Sequence, residues 1–139
     1  MPKGFVIDNS VVMTWCFKDQ ASPYADSLLE ALAEAVAYVP SVWPLEVVNV
    51  LLAAERKKCI SEADSVRFIS LLSQLPILVE YESPEKSMKD LLGLARSHNL
   101  SSYDASYLDL AMRKGLPLAT LDDKLRRAAQ STRVIIWKG

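Results

Sequence analysis

The chain has 139 residues, of which 50% are hydrophobic and 24% are charged, and its formal net charge at pH 7 is -1. This length and balance fit one globular domain and exclude the low hydrophobicity of a disordered chain. The near-zero charge excludes a global field that draws the protein to nucleic acid, so polyanion binding would need local basic patches. No apolar run approaches the roughly 18 residues of a membrane span. We therefore expect a single cytoplasmic domain over residues 1–139 that makes no membrane contact.

Several common kinds of site find no support in the sequence. Cys16 and Cys59 lack CxxC spacing, so neither a disulfide framework nor a zinc site is predicted. His98 is the only histidine, and its place near a predicted helix end favours a cap or surface role over catalysis. The sequence also lacks a GxGxxG loop, a Walker-type GK loop and a GxSxG elbow, so it offers no nucleotide cradle or serine hydrolase site of those types.

The first part of the chain alternates strand and helix. The run GFVID at 4–8 is apolar and is bounded by glycine and by turn-forming residues, which predicts a buried strand. Ser22 as N-cap, Pro23 at the first helical position and an apolar face predict a helix over 22–37. The other predicted elements of this part are a short helix over 12–17 and a strand over 38–41.

The middle of the chain contains two predicted helices and a strand. Pro44 fits the first turn of a helix over 43–58. Ser61 and Asp64 have the spacing of a capping box, which predicts a helix over 61–75. The strand that follows is predicted over 77–82.

The last part of the chain completes a pattern of short apolar strands separated by helices. A Ser-Pro start predicts a helix over 83–99, and Gly115 fits the C-terminal position of a helix over 101–115. The remaining predictions are strands over 116–121 and 134–137 and a short helix over 122–130. This alternation indicates a layered α/β domain with a largely parallel sheet, here of five strands.

Acidic residues recur where these predicted strands end and helices begin. Asp8 ends the first strand, and Asp122 and Asp123 follow the fourth. Glu46 and Asp104 lie in the first turns of helices that can begin at the same edge of the sheet as these strand ends. Ligands of parallel α/β sheets gather at the carboxyl ends of the strands, so we expect these acids to lie close together there.

Each acid also has a local structural explanation. Asp8 could cap its turn, and Glu46 and Asp104 could complement helix dipoles. Asp104 could form a capping box with the serine three residues before it, and Asp122 or Asp123 could start the last helix. A functional role is favoured if the four acids lie close together, because local capping does not require them to meet. Two unit charges of the same sign 4 Å apart repel by on the order of 4 kcal/mol at an effective dielectric of 20, so such a cluster needs a cation. A cluster of oxygen ligands without His or Cys suits Mg²⁺ or Mn²⁺ as the neutralising cation.

Four stretches, FVIDNSV, PLEVVNVL, SSYDASYLDLA and LATLDDKL, resemble the PIN-domain ribonucleases, specifically the VapC toxins of prokaryotic toxin–antitoxin pairs. The resemblance implies a three-layer α/β/α sandwich with a central, mainly parallel sheet of about five strands. It also implies that Asp8, Glu46, Asp104 and Asp122 hold one or two Mg²⁺ or Mn²⁺ ions and hydrolyse RNA. Asp123 is the alternative fourth acid, since adjacent residues at a helix start point about 100° apart.

Polar and basic residues near these acids are candidates for supporting roles. Ser10, Asn49 and Thr120 could orient ligands or waters, or could only make local hydrogen bonds. Asp109 is expected to be a surface or supporting acid. Charge runs are usually solvated helix faces. The basic residues that could hold the RNA backbone are Arg56, Lys57, Lys58, Arg126 and Arg127.

Two other functions stay open at this stage, a receiver-like Mg²⁺-binding signalling domain and a catalytically inactive PIN fold that only binds. For the nuclease, the resemblance implies a homodimer and a VapB-like antitoxin whose C-terminal segment covers the acidic groove. Trp15, Trp43 and the apolar helix faces could serve such contacts, although large apolar residues at helical spacing usually belong to the core.

Overall fold

The computed structural model describes residues 3–138, with the side chain of Lys3 left out. Helices pack on a parallel sheet throughout this range. The strands are β1 (Lys3–Ile7), β2 (Ala35–Pro40), β3 (Ile77–Glu80) and β4 (Leu118–Ala119). The α-helices are α1 (Asn9–Val12), α2 (Pro23–Ala31), α3 (Trp43–Arg56), α4 (Glu62–Ser73), α5 (Pro84–His98), α6 (Ser102–Lys114) and α7 (Asp123–Ser131). None of the helices between residues 3 and 138 has the length and apolar character needed to span a membrane.

The sheet has the strand order β3-β2-β1-β4, and every pairing is parallel. The chain moves outward from β1 to β2 and β3, then returns through α6 to place β4 on the other side of β1. A topological switch point therefore lies between β1 and β4, and open α/β sheets bind ligands beyond the carboxyl ends of the strands at such points.

The core lies between the sheet and its helices. Phe5, Val6 and Ile7 of β1 have 0% exposure, as expected for a central strand covered on both faces. Helix α6 packs against β1, β2 and β4. Its Tyr107 and Leu108 are fully buried. The predicted α/β fold with a parallel sheet flanked by helices is confirmed.

Local sequence signals set several helix ends as predicted. The Ser22 hydroxyl accepts a hydrogen bond from the Ala25 amide at 3.3 Å. Ser61 and Asp64 form the full capping box, with hydrogen bonds of 2.9 and 3.1 Å. Gly115 ends α6 in the left-handed conformation, at φ 64°, which a residue without a Cβ adopts at little cost.

The predicted fifth strand is wrong. Residues 134–137 make only one parallel bridge, between Ile136 and Leu118, because β4 offers two residues to pair with. Arg133 has a φ of 64°, and the Val134 amide donates to the Ala129 carbonyl at 2.8 Å. The segment is therefore still tied to the end of α7 when it reaches β4, and the sheet within residues 3–138 has four strands.

The predicted helix over 22–37 extends too far. Helix α2 ends at Ala31, and Ala35–Pro40 forms β2 instead. The alanines of this segment favour helix, but β2 pairs with β1 on one side and β3 on the other. Smaller differences occur elsewhere: β1 ends at Ile7, β4 is shorter than predicted, and the short helix over 12–17 is α1 followed by a 3₁₀ turn at Met13–Trp15.

Candidate active site

Asp8 lies at the centre of the carboxyl edge, directly after β1. Asp8 is 5% exposed, and its Oδ2 accepts hydrogen bonds from Ser10 Oγ at 2.7 Å and Thr120 Oγ1 at 2.8 Å. The Asp8 side chain makes no N-capping hydrogen bond to α1, although it accepts hydrogen bonds from Asn9 and Ser10 within its own turn. The Asp8 amide donates to the Ala119 carbonyl at 2.9 Å, so β4 places Thr120 beside this carboxylate.

Ser10 and Thr120 join the ends of β1 and β4 through a hydrogen-bonded network. Ser10 Oγ accepts from the Leu121 amide at 3.0 Å, and Thr120 Oγ1 accepts from the Asp122 amide at 3.0 Å. Each hydroxyl thus donates to Asp8 and accepts from the loop that carries Asp122. Both residues have the supporting contacts that the sequence suggested, while Asn49 is exposed on α3 and makes no side-chain hydrogen bond within residues 3–138.

Asp122 and Asp123 have different environments. Asp122 is the N-cap of α7, and its Oδ1 accepts from the Leu125 amide at 3.0 Å. Asp123 has a side-chain exposure of 82% and forms an ion pair with Arg126 at 3.4 Å. Asp122 therefore lies on the loop joined to Asp8, whereas Asp123 faces solvent.

Glu46 and Asp104 reach the same edge from the first turns of α3 and α6. Glu46 Oε1 accepts a hydrogen bond of 2.6 Å from the hydroxyl of Tyr107, which is fully buried. Asp104 lies one helical turn before Tyr107, and its amide is capped by Ser101 Oγ at 3.1 Å. Tyr107 thus holds Glu46 in place beside the helix that carries Asp104.

The pKa values show that these carboxylates act on one another. Burial raises the pKa of Asp8, and the negative charge of Asp122 adds to this rise. Burial raises the pKa of Glu46, the Tyr107 hydrogen bond opposes the rise, and the charges of Asp8 and Asp104 add to it. Burial also raises the pKa of Asp104, and the negative charges of Asp8 and Asp122 raise it further. The four predicted acids therefore form one electrostatic group.

The carboxylates of this group are not arranged around one common ligand position. Among residues 3–138, no three His, Cys, Asp or Glu side chains are placed so that they could hold a metal ion together. The hydrogen bonds to Glu46 and Asp122 each use one carboxylate oxygen, which leaves the second oxygen of each group for a ligand. Glu46 and Asp104 are only partly buried.

Of the five basic residues predicted to hold RNA, four are exposed to solvent and one contacts the loop of the acidic group. Arg56, Lys57 and Lys58 are exposed at the end of α3, and Arg127 is exposed on α7. Arg126 instead donates from Nη2 to the Thr120 carbonyl at 3.1 Å. Its guanidinium therefore supports the loop of the acidic group.

Other residues from the sequence analysis have structural roles. Asp109 is 8% exposed and accepts from Arg113 Nε at 2.9 Å, so it is a supporting acid and not a surface one. Trp43 is 9% exposed and belongs to the core, and Trp15 Nε1 donates to the Ala25 carbonyl at 2.9 Å. Cys16 and Cys59 are free thiols.

Two contributions to the group were missed from the sequence, the Tyr107 hydroxyl and the Arg126 guanidinium. The one available signal for Tyr107 was its spacing, three residues after Asp104 and on the same helix face. No sequence signal predicts the contact of Arg126 with the Thr120 backbone carbonyl.

Comparison with known proteins is consistent with this arrangement. A model of the PIN domain matches residues 5–131, a range that includes all four acids. The crystal structure of PAE2754 from Pyrobaculum aerophilum superposes with a TM-score of 0.70 at 22% identity, covering 92% of this chain and 87% of that one. The crystal structure of FitAcB from Neisseria gonorrhoeae gives 0.65 at 17% identity, covering 96% of both chains. Both likenesses are of fold, and no curated protein sequence matches significantly. With the family model matching nearly its whole length, the chain belongs to the PIN domain family.

Proposed function

We propose that this protein is a Mg²⁺- or Mn²⁺-dependent endoribonuclease that acts as the toxin of a VapBC-type toxin–antitoxin pair. The observation that carries the proposal is the electrostatic group of Asp8, Glu46, Asp104 and Asp122 beside the switch point between β1 and β4. PIN domains are generally nucleases, which agrees with this chemistry.

The donor set of this group fits a hard divalent cation. All four side chains offer carboxylate oxygens, the ligands that Mg²⁺ and Mn²⁺ prefer. Burial and mutual repulsion raise the pKa values of three of them, and a cation would relieve both costs. When bound, such a cation activates a water and neutralises charge that develops on the phosphodiester. Asp8, Glu46, Asp104 and Asp122 would hold this cation.

The surrounding residues hold the acids ready for this role. The hydroxyls of Ser10 and Thr120 fix one oxygen of Asp8. Tyr107 fixes one oxygen of Glu46 from the core side. We propose Asp122 as the fourth acid, because the capping hydrogen bond leaves its second oxygen available. Asp123 is exposed and paired with Arg126.

The RNA backbone is proposed to contact the exposed cations Arg56, Lys57, Lys58 and Arg127. Such contacts bind all sequences alike and weaken as salt rises. Arg126 is assigned to positioning the Thr120 loop, since its guanidinium contacts the Thr120 carbonyl and Asp123.

The receiver-like alternative is wrong. A receiver has the strand order 2-1-3-4-5, with its third strand beside the first, whereas β3 here pairs with β2 at the edge of the sheet. The chain also belongs to the PIN family. An inactive PIN fold that only binds remains the competing hypothesis, and a cleavage assay separates it from the nuclease.

The antitoxin and a homodimer are proposed as protein partners. Apolar side chains exposed on α3 and α4 offer surface for such contacts, among them Leu45, Val48, Val66 and Ile69. Light scattering of the isolated protein tests the homodimer, which predicts twice the chain mass at micromolar concentration. A monomer at that concentration would contradict it.

The experiment that tests the nuclease is RNA cleavage by the purified protein with Mg²⁺ or with EDTA. We expect cleavage with Mg²⁺ and none with EDTA or with Asp8→Asn. Asp123→Asn is the matched control, because it makes the same chemical change at an exposed acid. Cleavage that persists in Asp8→Asn with EDTA, or wild-type protein that cuts no RNA tested, would refute the proposal.

A further inference from the structure

A cavity lies beside the acidic group, beyond the carboxyl ends of β2 and β3. Its volume is about 390 Å³, and its walls include Val42, Ser102 and Tyr103. Tyr103 immediately precedes Asp104, and the Val42 carbonyl accepts the Glu46 amide at 3.1 Å. The same two helix starts therefore carry acids of the group and form walls of this cavity.

The charges that line the cavity do not suit a phosphate. Arg113 is the only cation in the lining, and it contacts Asp109 at 2.9 Å and Glu82 at 2.9 Å. Glu80 lines the cavity as well and pairs with Lys114 at 2.9 Å, and Lys86 lies 3.8 Å from Glu82. The cations that contact these carboxylates are thus already paired, so they do not favour a second phosphate, whereas an uncharged ligand meets no such repulsion.

The rest of the lining suits a planar group with hydrogen-bonding edges. Ser41, Ser87 and Ser102 line this space, and their hydroxyls make no hydrogen bond to another side chain or backbone group within residues 3–138. A hydroxyl both donates and accepts, so it can pair with either kind of group on a nucleobase. Tyr103 is 55% exposed, and a tyrosine ring in such a position stacks on bases.

We propose that this cavity binds one unstacked nucleobase of the RNA strand while the phosphate beside that base meets the acidic group. The inference rests on the proposed function for the identity of the strand. The volume falls in the range of small-molecule sites. Tyr103 stacks on the base, and the serine hydroxyls with the paired carboxylates contact its edge.

Measuring RNA binding in the absence of metal tests this subsite independently of RNA cleavage. The probe is a fluorescein-labelled single-stranded RNA of about 12 nucleotides, compared with the same strand made fully abasic, in EDTA buffer at fixed salt. Tyr103→Ala is expected to raise the Kd for the intact strand about 5- to 150-fold and to change the Kd for the abasic strand by less than about twofold. Tyr103→Trp keeps a stacking ring and should stay within about threefold of wild type. Tyr81→Ala is the matched control, because Tyr81 is 75% exposed nearby but does not line the cavity.

The outcomes separate the subsite from the nuclease. Base-dependent binding that Tyr103→Ala abolishes supports the subsite, even if no RNA is cut with Mg²⁺. Equal binding of intact RNA by Tyr103→Ala and wild type overturns the subsite, even if wild type cuts RNA. Failure of wild type to prefer the intact strand over the abasic one also overturns it.

Discussion

The buried hydroxyl of Thr120 provides a test that requires no RNA substrate. Thr120 is 0% exposed, and its Oγ1 donates to Asp8 Oδ2 at 2.8 Å and accepts from the Asp122 amide at 3.0 Å. Thr120→Val keeps the shape and removes both hydrogen bonds. A hydrogen bond to a charged group contributes about 1.5–3 kcal/mol. Because Ser10 donates to the same oxygen at 2.7 Å, we expect the free energy of unfolding to fall by about 2 kcal/mol at neutral pH.

This loss should depend on pH, because Asp8 titrates. Burial raises the pKa of Asp8 above its ordinary value, so Asp8 contributes stability at low pH and loses that contribution as pH rises through its folded-state pKa. The Thr120 hydrogen bond lowers this pKa. Thr120→Val therefore raises it further, and the destabilisation grows from acid pH to neutral pH and then stays constant.

The measurement is urea unfolding followed by circular dichroism over a series of pH values. Thr132→Val is the matched control, since the Thr132 hydroxyl donates to the uncharged carbonyls of Ala128 and Ala129 at 3.0 Å each. Its cost should not change with pH, and Thr120→Ser should recover most of the lost stability. A Thr120→Val cost below about 0.5 kcal/mol, or one that varies with pH no more than the control, would refute the reasoning.

Three further predictions concern the acids and their ligand. Tyr107→Phe removes the 2.6 Å hydrogen bond to Glu46, so it should lower kcat about tenfold and move the acid limb of the pH profile upward. Tyr81→Phe, at a tyrosine that is 75% exposed and makes no side-chain hydrogen bond within residues 3–138, should change neither in the same assay. Asp122→Asn keeps a good N-cap and should lower cleavage about 100-fold or more, while equal losses in Asp123→Asn would contradict the choice of fourth acid. Mg²⁺ at about a hundred times its Kd should add about 2.7 kcal/mol to the free energy of unfolding, seen as a higher Tm, and an unchanged Tm would contradict metal binding.

The placement of the acids was predictable because it follows from the order of the elements. A parallel sheet brings all strand ends to one edge, and Asp8 and Asp122 follow strands that turn out to be neighbours. Glu46 and Asp104 could be placed from the Pro44 and Ser101 signals at their helix starts. These signals act within a few residues, so the sequence displays them directly.

The contacts that hold the acids were not predictable in the same way. Thr120 donates to Asp8 across 112 positions, and Tyr107 donates to Glu46 across 61. The sequence places Ser10 and Thr120 beside the acids, but nothing in it shows that both hydroxyls donate to one carboxylate oxygen. The predicted helix over 22–37 was too long for a related reason. Ala35–Pro40 pairs with strands on both sides, and this pairing outweighs the helix propensity of its alanines.

The environment of Asp8 argues for a ligand from solution. Asp8 is 5% exposed, yet within residues 3–138 its carboxylate forms no ion pair, and the hydrogen bonds that it accepts come from uncharged donors, the Ser10 and Thr120 hydroxyls and the Asn9 amide. Arg126 is close enough to contact the Thr120 carbonyl but pairs with Asp123. Breaking or omitting the partner of a buried charge costs several kcal/mol, so a purely structural Asp8 would be expected to have a guanidinium beside it. Uncharged donors fix the position of the carboxylate and leave its charge unneutralised, and Asp122 adds a second negative charge nearby. That combination stabilises the folded protein less than a paired acid would, and it provides the negative potential that a divalent cation needs in order to bind.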